Sequence, residues 1–237
     1  METPEISVVV LAYRGADTID DFVASLVASL EKLNLLWEIV LVGNYFEGIG
    51  DGTPTVVTDI ASSDSRILSI TKVKKGMMGW DMKLGLDMTS GKTIAVIDGD
   101  GQMPCEDVVR VYKLLKENNL DFVKTYRSTR YDGPYRKFIS ITYNLCFRFL
   151  FPGIDCRDIN SKPKIMTRML YEKLNLNSNG WFIDAEIMIL VRRFKAMTGE
   201  VATKFTRIES RPSFVKPIAI LEFSANLVWY RIKEYFV

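Results

Sequence analysis

The stretch that decides the fold is Lys92-Thr-Ile-Ala-Val-Ile-Asp-Gly-Asp-Gly-Gln-Met-Pro-Cys105. Its apolar part, Ile94 to Ile97, has the length of a strand that is buried on both faces, and it ends abruptly in a polar turn. In open α/β sheets, ligands bind outside the carboxyl ends of the parallel strands. We therefore expect Asp98, Asp100 and Gln102 of this turn to face a ligand.

The side chains of this turn favour a divalent cation that is bridged to a phosphate. Two carboxylates and an amide within five residues supply the oxygen ligands that a hard cation prefers. Such an ion, when only one or two carboxylates hold it, usually also binds phosphate groups of a substrate. The alternative is an ordinary turn, because Asp and Gly both tolerate left-handed backbone. The sequence on either side favours the metal interpretation.

Strands and helices alternate through the first hundred residues. Apolar runs predict strands at 6–12, 37–42, 66–71 and 92–97, and helical spacing of apolar residues predicts helices at 17–33, 54–61 and 77–88. Further helices are predicted at 104–117, 135–151, 183–197 and 217–236, with strands at 121–125 and 201–208. The alternation is typical of a mostly parallel, doubly wound α/β sheet. We expect a main domain at 1–210 and a C-terminal amphipathic helix at 211–237 that belongs to the same compact unit.

Composition narrows the class of protein. The 237 residues carry a net charge of only +2, which gives no general attraction to nucleic acid. Three cysteines at irregular spacing favour a reducing compartment, and no apolar run approaches the roughly 20 residues that span a bilayer. Without a recognisable signal peptide, the chain is expected to be cytoplasmic, either soluble or at the cytoplasmic face of a membrane. Since there is no histidine, acid–base chemistry falls to carboxylates, Lys, Tyr or a substrate group.

In order and spacing, the motifs of this chain resemble those of the family 2 glycosyltransferases, which have the GT-A fold. Within that family they are most similar to the dolichol- or polyprenyl-phosphate sugar synthases. The resemblance covers about residues 6 to 216 and depends on the following segments: 8–13, 38–42, 51–53, 83–86, 90–92, 98–104, Arg127, Arg136 with Ser140, and 207–216.

The resemblance implies a metal-dependent, inverting transfer of a sugar from a UDP- or GDP-linked donor to a polyprenyl phosphate or a glycan. It implies that Asp98, Asp100 and Gln102 surround a Mg2+ or Mn2+ ion on the diphosphate. The candidates for donor binding are Ala12, Tyr13, Arg14, Asn44, Lys75, Gly76, Lys83, Asp98 and Gly99. The candidates for binding the acceptor or its phosphate are Arg127, Arg136, Ser140, Arg211 and Lys216.

Asp184 and Glu186 are the catalytic candidates, in the segment Trp181-Phe-Ile-Asp-Ala-Glu186. A hydroxyl acceptor needs a general base, and an aspartate next to Trp181 and Phe182 is expected to have a raised pKa that suits this role. A phosphate acceptor needs no base, because its oxygen is already ionised, and Asp184 would then position a cation or a sugar hydroxyl. The alternative for both residues is a helix N-terminus whose dipole attracts acidic side chains.

One departure from the family leaves other functions open. The family usually has a carboxylate pair after the second strand that reads the base, whereas this chain has Gly43-Asn-Tyr-Phe46. The loss favours a catalytically silent scaffold, while the acidic residues of the predicted site argue against one. A nucleotidyltransferase is a weaker alternative, because the loop after the first strand is not rich in glycine.

The two helices predicted at 135–151 and 217–236 are rich in aromatic and basic residues. Such helices suit a membrane interface. Packing on the sheet, or an interface between copies of the chain, is the commoner use of such an apolar face and is favoured here.

Overall fold

The computed structural model describes residues 2–129, 134–153, 156–206 and 218–234, with backbone only for 129, 134–140 and 218–221. Within these residues, seven strands form one sheet with helices on both faces. The strands are β1 (Ile6–Leu11), β2 (Trp37–Val42), β3 (Ile67–Ile70), β4 (Thr93–Asp98), β5 (Phe122–Thr129), β6 (Lys164–Thr167) and β7 (Thr198–Lys204). The helices are α1 (Ile19–Glu31), α2 (Thr53–Ser63), α3 (Met78–Asp87), α4 (Glu106–Glu117), α5 (Pro134–Leu150), α6 (Arg168–Tyr171), α7 (Ile183–Arg193) and α8 (Ile218–Glu234).

The sheet has the order β3-β2-β1-β4-β6-β5-β7. Strands β1 to β4 pair in parallel, β6 runs antiparallel to both of its neighbours, and β7 is parallel to β5. The prediction of a mostly parallel, doubly wound α/β sheet is confirmed. In this arrangement the carboxyl ends of β1, β2 and β4 meet at one edge, where the predicted site lies.

The core lies on both faces of the sheet, because successive residues of each strand point to opposite sides. Val9 of β1 packs on the face that α3, α5 and α7 cover, while Val8 and Val10 pack on the face that α1, α2 and α4 cover. Burial on two faces is why the central strands read as continuous apolar runs, and it makes the edge above them a rigid support.

Sequence patterns did not predict β6 or α6. The strand β6 is four residues long and begins with a fully buried lysine, Lys164, so no apolar run marks it. It lies between β4 and β5 and thereby brings the preceding Lys162 next to the end of β4. The omission therefore concerned residues that turn out to contact the site.

The described part of α8 packs against α5 and α7. The rings of Phe223 and Tyr143 have centroids 5.5 Å apart, and those of Tyr230 and Phe182 are 5.1 Å apart. These contacts support the proposal that the C-terminal helix belongs to the same compact unit, although the proposed boundary at residue 210 lies outside the described residues. Among the described helices, none is long and apolar enough to cross a membrane.

Candidate active site

The edge at which β1, β2 and β4 end brings three sequence-predicted segments together. The register pairs Leu11 with Val42 on one side and with Asp98 on the other. Ala12, Asn44 and Gly99 follow directly at this edge. Gly99 N donates a hydrogen bond of 2.9 Å to the Leu11 carbonyl. A Cβ at Gly99 would lie within 2.8 Å of Val10 and 2.7 Å of Ile19, so the close approach requires glycine.

The metal motif forms a tight turn at the end of β4. Asp98, Asp100 and Gln102 are half-buried. The backbone N–H of Gln102 donates a hydrogen bond of 3.0 Å to Asp100 Oδ1. Gly101 has φ +70°, which lets the chain reverse without strain. Two carboxylates and an amide, partly open to solvent, fit a hard cation that takes its remaining ligands from phosphate and water. In the described ranges, no group of three acidic or thiol side chains could hold a metal by itself.

Two buried lysines, Lys162 before β6 and Lys164 at its first position, lie near this motif. Lys162 Nζ is 3.2 Å from Asp98 Oδ2 and 3.1 Å from Asp184 Oδ2. The Lys164 ammonium pairs with the other oxygen of Asp184. Asp184 lies in the first turn of α7 and is almost fully buried. Lys162 thus connects the predicted metal motif to the predicted catalytic aspartate, and Lys164 contacts the aspartate only.

The environment of Asp184 contradicts the expected direction of its pKa. Burial by itself would raise this pKa, but the positive charges of Lys162 and Lys164 outweigh burial and hold the pKa below its usual value. Burial, together with the neighbouring charges of Lys162 and Lys124, lowers the pKa of Lys164 to about 8 against the attraction of Asp184. An ionised carboxylate that two ammonium groups already hold is a weak proton acceptor, so the raised pKa predicted from Trp181 and Phe182 is wrong.

Tyr143 of α5 faces the same charge. Burial and the carboxylate of Asp184 raise the pKa of its hydroxyl well above the ordinary value. The hydroxyl is buried and has no hydrogen-bond partner among the described residues. Tyr143 therefore adds a neutral polar group to the Asp184 side of the site.

Glu186 is completely buried and its two oxygens are occupied by protein groups. The backbone amides of Asn177 and Ser178 each donate 2.8 Å to it, and the Tyr230 hydroxyl donates 2.5 Å. This geometry is that of an anchor, which holds the loop before α7 and helix α8 in place. The catalytic role expected of Glu186 stays a prediction, and its contacts support a positioning role instead.

Tyr13, Phe46 and Lys74 form an aromatic and cationic cluster on the β1–β2 side of the site. The rings of Tyr13 and Phe46 are nearly perpendicular, with centroids 6.2 Å apart. Lys74 Nζ lies 4.6 Å from the Tyr13 ring centroid and 5.8 Å from that of Phe46. Burial is the main cause of a raised pKa at the Tyr13 hydroxyl, with Arg14 opposing and Asp51 and Asp81 adding to it.

Asn44 braces this cluster. Its Nδ2 donates a hydrogen bond of 2.9 Å to Asp81 Oδ1, and its Oδ1 accepts one of 2.7 Å from the backbone N–H of Lys72. Asp81 also forms an ion pair with Lys74. Asn44 is buried, so its position as a donor-binding residue depends on these partners. The arrangement links the end of β2 to the start of α3.

Asp51 is a site candidate that was not among the predicted site residues, although the segment 51–53 was part of the family resemblance. One of its oxygens accepts from the Thr53 amide at 3.0 Å and from the Thr53 hydroxyl at 2.5 Å, and that hydroxyl accepts from Gly15 N at 2.9 Å. The other oxygen, Oδ2, is buried without a hydrogen-bond partner in the described part of the chain. A buried carboxylate oxygen without a partner favours a ligand N–H or O–H. The Asp51-Gly-Thr53 turn was the available signal.

The remaining donor candidates lie further around the edge. Arg14 is exposed with φ +50°, an uncommon backbone for a side chain of its size, and Lys75 is exposed. Gly76 lies close to Asn179, where a Cβ would come within 3.0 Å of a carbonyl oxygen. Lys83 lines a groove of about 480 Å³ with Trp80, Tyr171 and others, and no metal-motif residue lines it.

The acceptor candidates are only partly described. Arg127 makes a two-pronged ion pair with Asp158, with Nε–Oδ2 2.6 Å and Nη2–Oδ1 2.9 Å. This pairing directs its guanidinium to a protein carboxylate, so phosphate binding by Arg127 stays a prediction that the geometry does not favour. The side chains of Arg136, Ser140, Arg211 and Lys216 lie outside the described residues.

The strand order, with an acidic turn at the end of β4, is the arrangement expected of the GT-A fold. The model for "Glycosyl transferase family 2" matches residues 7–183, which is most of the chain. The chain belongs to glycosyl transferase family 2. The resemblance expected from the sequence motifs is therefore confirmed at the level of the family.

Individual relatives are more distant. The undecaprenyl-phosphate 4-deoxy-4-formamido-L-arabinose transferase of Pectobacterium atrosepticum is 26% identical over 144 residues, which are 60% of this chain and 43% of the relative. The aligned part thus spans less than half the length of that relative. The dolichyl-phosphate beta-glucosyltransferase ALG5D of Trichomonas vaginalis is 25% identical in an alignment of 247 positions, gaps included. This alignment covers 96% of this chain and 74% of the relative.

Solved structures show the same fold. Glucosyl-3-phosphoglycerate synthase from Mycobacterium tuberculosis in complex with UDP has a TM-score of 0.70 at 22% identity, and covers 96% of this chain and 80% of its own. The same protein in complex with Mn2+, UDP-glucose and phosphoglyceric acid has a TM-score of 0.66 at 22% identity, over 96% and 79%. The GT-A fold predicted for this chain is confirmed.

Proposed function

We propose that this protein transfers a sugar, with inversion, from a UDP- or GDP-linked donor to the phosphate of a polyprenyl lipid, with Mg2+ or Mn2+ as cofactor. The observation that carries the choice of acceptor is the double ion pair of Asp184 with Lys162 and Lys164. A phosphate oxygen is ionised before it attacks, whereas a hydroxyl must first lose a proton. A site whose candidate base is already occupied suits the phosphate.

The donor half of the proposal rests on the turn after β4 and on the β1–β2 edge. Asp98, Asp100 and Gln102 would hold the cation, which supplies Lewis-acid neutralisation of the leaving diphosphate when it is bound. The Tyr13–Phe46 pair and Asp51 provide an apolar surface and a hydrogen-bond acceptor for the base. The relatives support a nucleotide-sugar donor, since a structurally similar synthase was solved with UDP-glucose and Mn2+.

The acceptor half rests on the neighbourhood of α5, α7 and α8. An acceptor phosphate that approaches the sugar from the side opposite the diphosphate displaces it in one step, and a single in-line displacement inverts the anomeric centre. The fixed charges of Lys162 and Lys164 keep Asp184 in place beside that path. The named relatives, an undecaprenyl-phosphate transferase and a dolichyl-phosphate transferase, support a lipid phosphate as acceptor.

An exposed apolar surface supports contact with a lipid bilayer. On α5, Ile141, Leu145 and Phe149 follow at intervals of four residues and lie on one face, and Phe149 is 84% exposed. On α8, Trp229 is 60% exposed. Helices α5 and α8 contact each other, and Tyr230 of α8 contacts Glu186 of α7, two residues after Asp184. A membrane at this surface would therefore bring a lipid phosphate close to the site. We propose that this contact is with the cytoplasmic face of the membrane.

The first test is calorimetric binding of UDP, GDP, CDP, ADP and dTDP with and without Mn2+, followed by a transfer assay. We expect one nucleotide to bind tightly only with Mn2+, and the corresponding sugar to move to a short-chain polyprenyl phosphate. The polyprenyl alcohol of the same chain length is the matched control acceptor. Transfer to the alcohol at an equal rate would contradict the phosphate assignment.

The Asp100→Ala variant tests the metal assignment. It removes one carboxylate from the turn without touching the lysine pairs of Asp184, so metal-dependent nucleotide binding and turnover should both be lost. Unchanged turnover would overturn the metal site. Failure of the wild-type chain to bind any nucleotide would favour the catalytically silent scaffold instead.

A further inference from the structure

Lys162 lies between the metal motif and the first turn of α7, in contact with one carboxylate on each side. Its Nζ is 3.2 Å from Asp98 Oδ2 and 3.1 Å from Asp184 Oδ2, and its side chain is only 3% exposed. The Met78 thioether lies 3.3 Å from the same nitrogen. A buried ammonium in this position is a fixed positive charge in direct contact with a predicted metal ligand.

We infer that Lys162 is a built-in counter-cation of the metal site, which weakens the binding of a free divalent ion and makes metal binding depend on the nucleotide diphosphate. The inference rests on the proposed function, because it presupposes a divalent ion at Asp98 and Asp100. It goes beyond that function, because it states what decides when the ion binds.

The charge of Lys162 and the open side of Asp98 together decide when a divalent ion binds. One oxygen of Asp98 already pairs with Lys162, so a divalent ion at this carboxylate meets a partly neutralised ligand and a nearby like charge. The ammonium is buried, so salt and water screen this repulsion only weakly. A diphosphate adds negative charge on the open side of the ion, where the Asp98 side chain is 34% exposed, and offsets the repulsion. Metal and nucleotide are then expected to bind with strong positive coupling.

Lys164 offers a matched control. It is as deeply buried as Lys162, lies two residues further along the chain and pairs with the same Asp184. The described contacts of Lys164 do not include Asp98, whereas those of Lys162 do. Loss of Lys164 removes a buried cation and a contact with Asp184 but leaves the pair at the metal ligand.

The experiment measures Mn2+ binding by the loss of the free-Mn2+ EPR signal, with and without UDP or GDP. The proteins are the full wild-type chain, Lys162→Gln, Lys162→Met, Lys162→Arg and Lys164→Gln, each checked for folding by circular dichroism. Without nucleotide, the Gln and Met variants should bind Mn2+ on the order of tenfold more tightly than the wild type. Lys162→Arg should resemble the wild type, and Lys164→Gln should change the affinity less.

The outcomes separate the two proposals. If the wild type binds no Mn2+ even with both nucleotides, the metal part of the proposed function fails, and this inference fails with it. If the wild type binds Mn2+ with nucleotide and the neutral variants show no gain without it, this inference alone is overturned. The wild type is itself a test should both variants fail to fold, because equal Mn2+ affinity with and without nucleotide would also overturn it.

Discussion

Tyr230 of α8 donates a 2.5 Å hydrogen bond to Glu186 of α7, whose side chain is fully buried. The same carboxylate receives the amides of Asn177 and Ser178, so it joins α7, α8 and the loop before α7. Burial and this carboxylate together raise the pKa of the Tyr230 hydroxyl well above its ordinary value, which keeps it a donor at any physiological pH.

The first prediction follows from these contacts. Glu186→Gln replaces one acceptor oxygen by an NH2 group that must face an N–H or O–H donor, and should lower the free energy of unfolding by about 1–3 kcal/mol. Tyr230→Phe removes one hydrogen bond and should lower it by about 1 kcal/mol. Urea unfolding measures both. Turnover is then assayed under conditions in which both variants are folded. If Glu186 has only a positioning role, the turnover of Glu186→Gln should fall no further than the small unfolded fraction of that variant explains.

The second prediction concerns Asp184 at neutral pH. Asp184→Asn leaves Lys162 and Lys164 buried without their shared counter-charge, which should lower the free energy of unfolding by about 3–5 kcal/mol at pH 7. Asp59→Asn, on the exposed face of α2, is the control and should have no measurable effect. Equal stability of the two variants in urea would show that the ion pairs contribute nothing.

The ion pairs of Asp184 should also make the stability of the wild type depend on pH. The folded pKa of Asp184 lies below its ordinary value of 3.8, so below that pH the unfolded chain binds a proton that the folded chain does not. The stabilisation is therefore complete above the unfolded pKa and is lost as pH falls through the folded pKa. The difference between wild type and Asp184→Asn should shrink between pH 5 and pH 3, as measured by urea unfolding at each pH.

The β1-to-β4 half of the fold could be predicted from the sequence, because its central strands β1, β2 and β4 are buried on both faces and read as apolar runs. The position of the acidic turn could be predicted as well, since Asp98 and Asp100 stand at the end of such a run, while its role in metal binding stays a prediction. The strand β6 could not be predicted in this way. It begins with Lys164, whose burial is balanced by Asp184 twenty residues later, and a long-range ion pair leaves no local pattern.

The same reason explains why the predicted direction of the Asp184 pKa was wrong. Trp181 and Phe182 are its neighbours in sequence, and apolar neighbours raise the pKa of a carboxyl group. The neighbours in space are two lysines, which reverse the direction. Asp51 was overlooked for a related reason, because only the folded chain shows that the loop of residues 43–53 returns its carboxylate to Gly15 through Thr53.

The third prediction is that Asp51 contributes to nucleotide binding. Asp51→Asn keeps the oxygen that accepts from Thr53 but replaces the buried Oδ2, which has no hydrogen-bond partner among the described residues, by a donor. If Oδ2 accepts a hydrogen bond from the base, affinity for the preferred nucleotide should fall on the order of tenfold to a hundredfold in calorimetry. Asp20→Asn, exposed on α1, is the control. Unchanged affinity for all five nucleotides would remove Asp51 from the site.

The fourth prediction tests the exposed surface of α5 and α8. Phe149 and Trp229 are 84% and 60% exposed, and the exposed Arg148 and Lys233 lie beside them in sequence and along the helix, respectively. Apolar side chains with basic neighbours on a helix bind the interface of anionic bilayers. The Phe149→Ser, Trp229→Ser double variant should therefore reduce co-sedimentation with anionic phospholipid vesicles on the order of tenfold or more. The reason is that two large apolar side chains no longer enter the bilayer.

The control for this surface is Met169→Ser, which removes an equally exposed apolar side chain, 68% accessible, from α6 instead. It should leave vesicle binding unchanged, because α6 packs against β4 and β6, whereas α5 and α8 pack against each other. Sedimentation velocity of the same proteins separates the alternatives. If the wild type forms a dimer that the double variant abolishes, and neither protein binds vesicles, this surface joins two copies of the chain and does not contact a membrane.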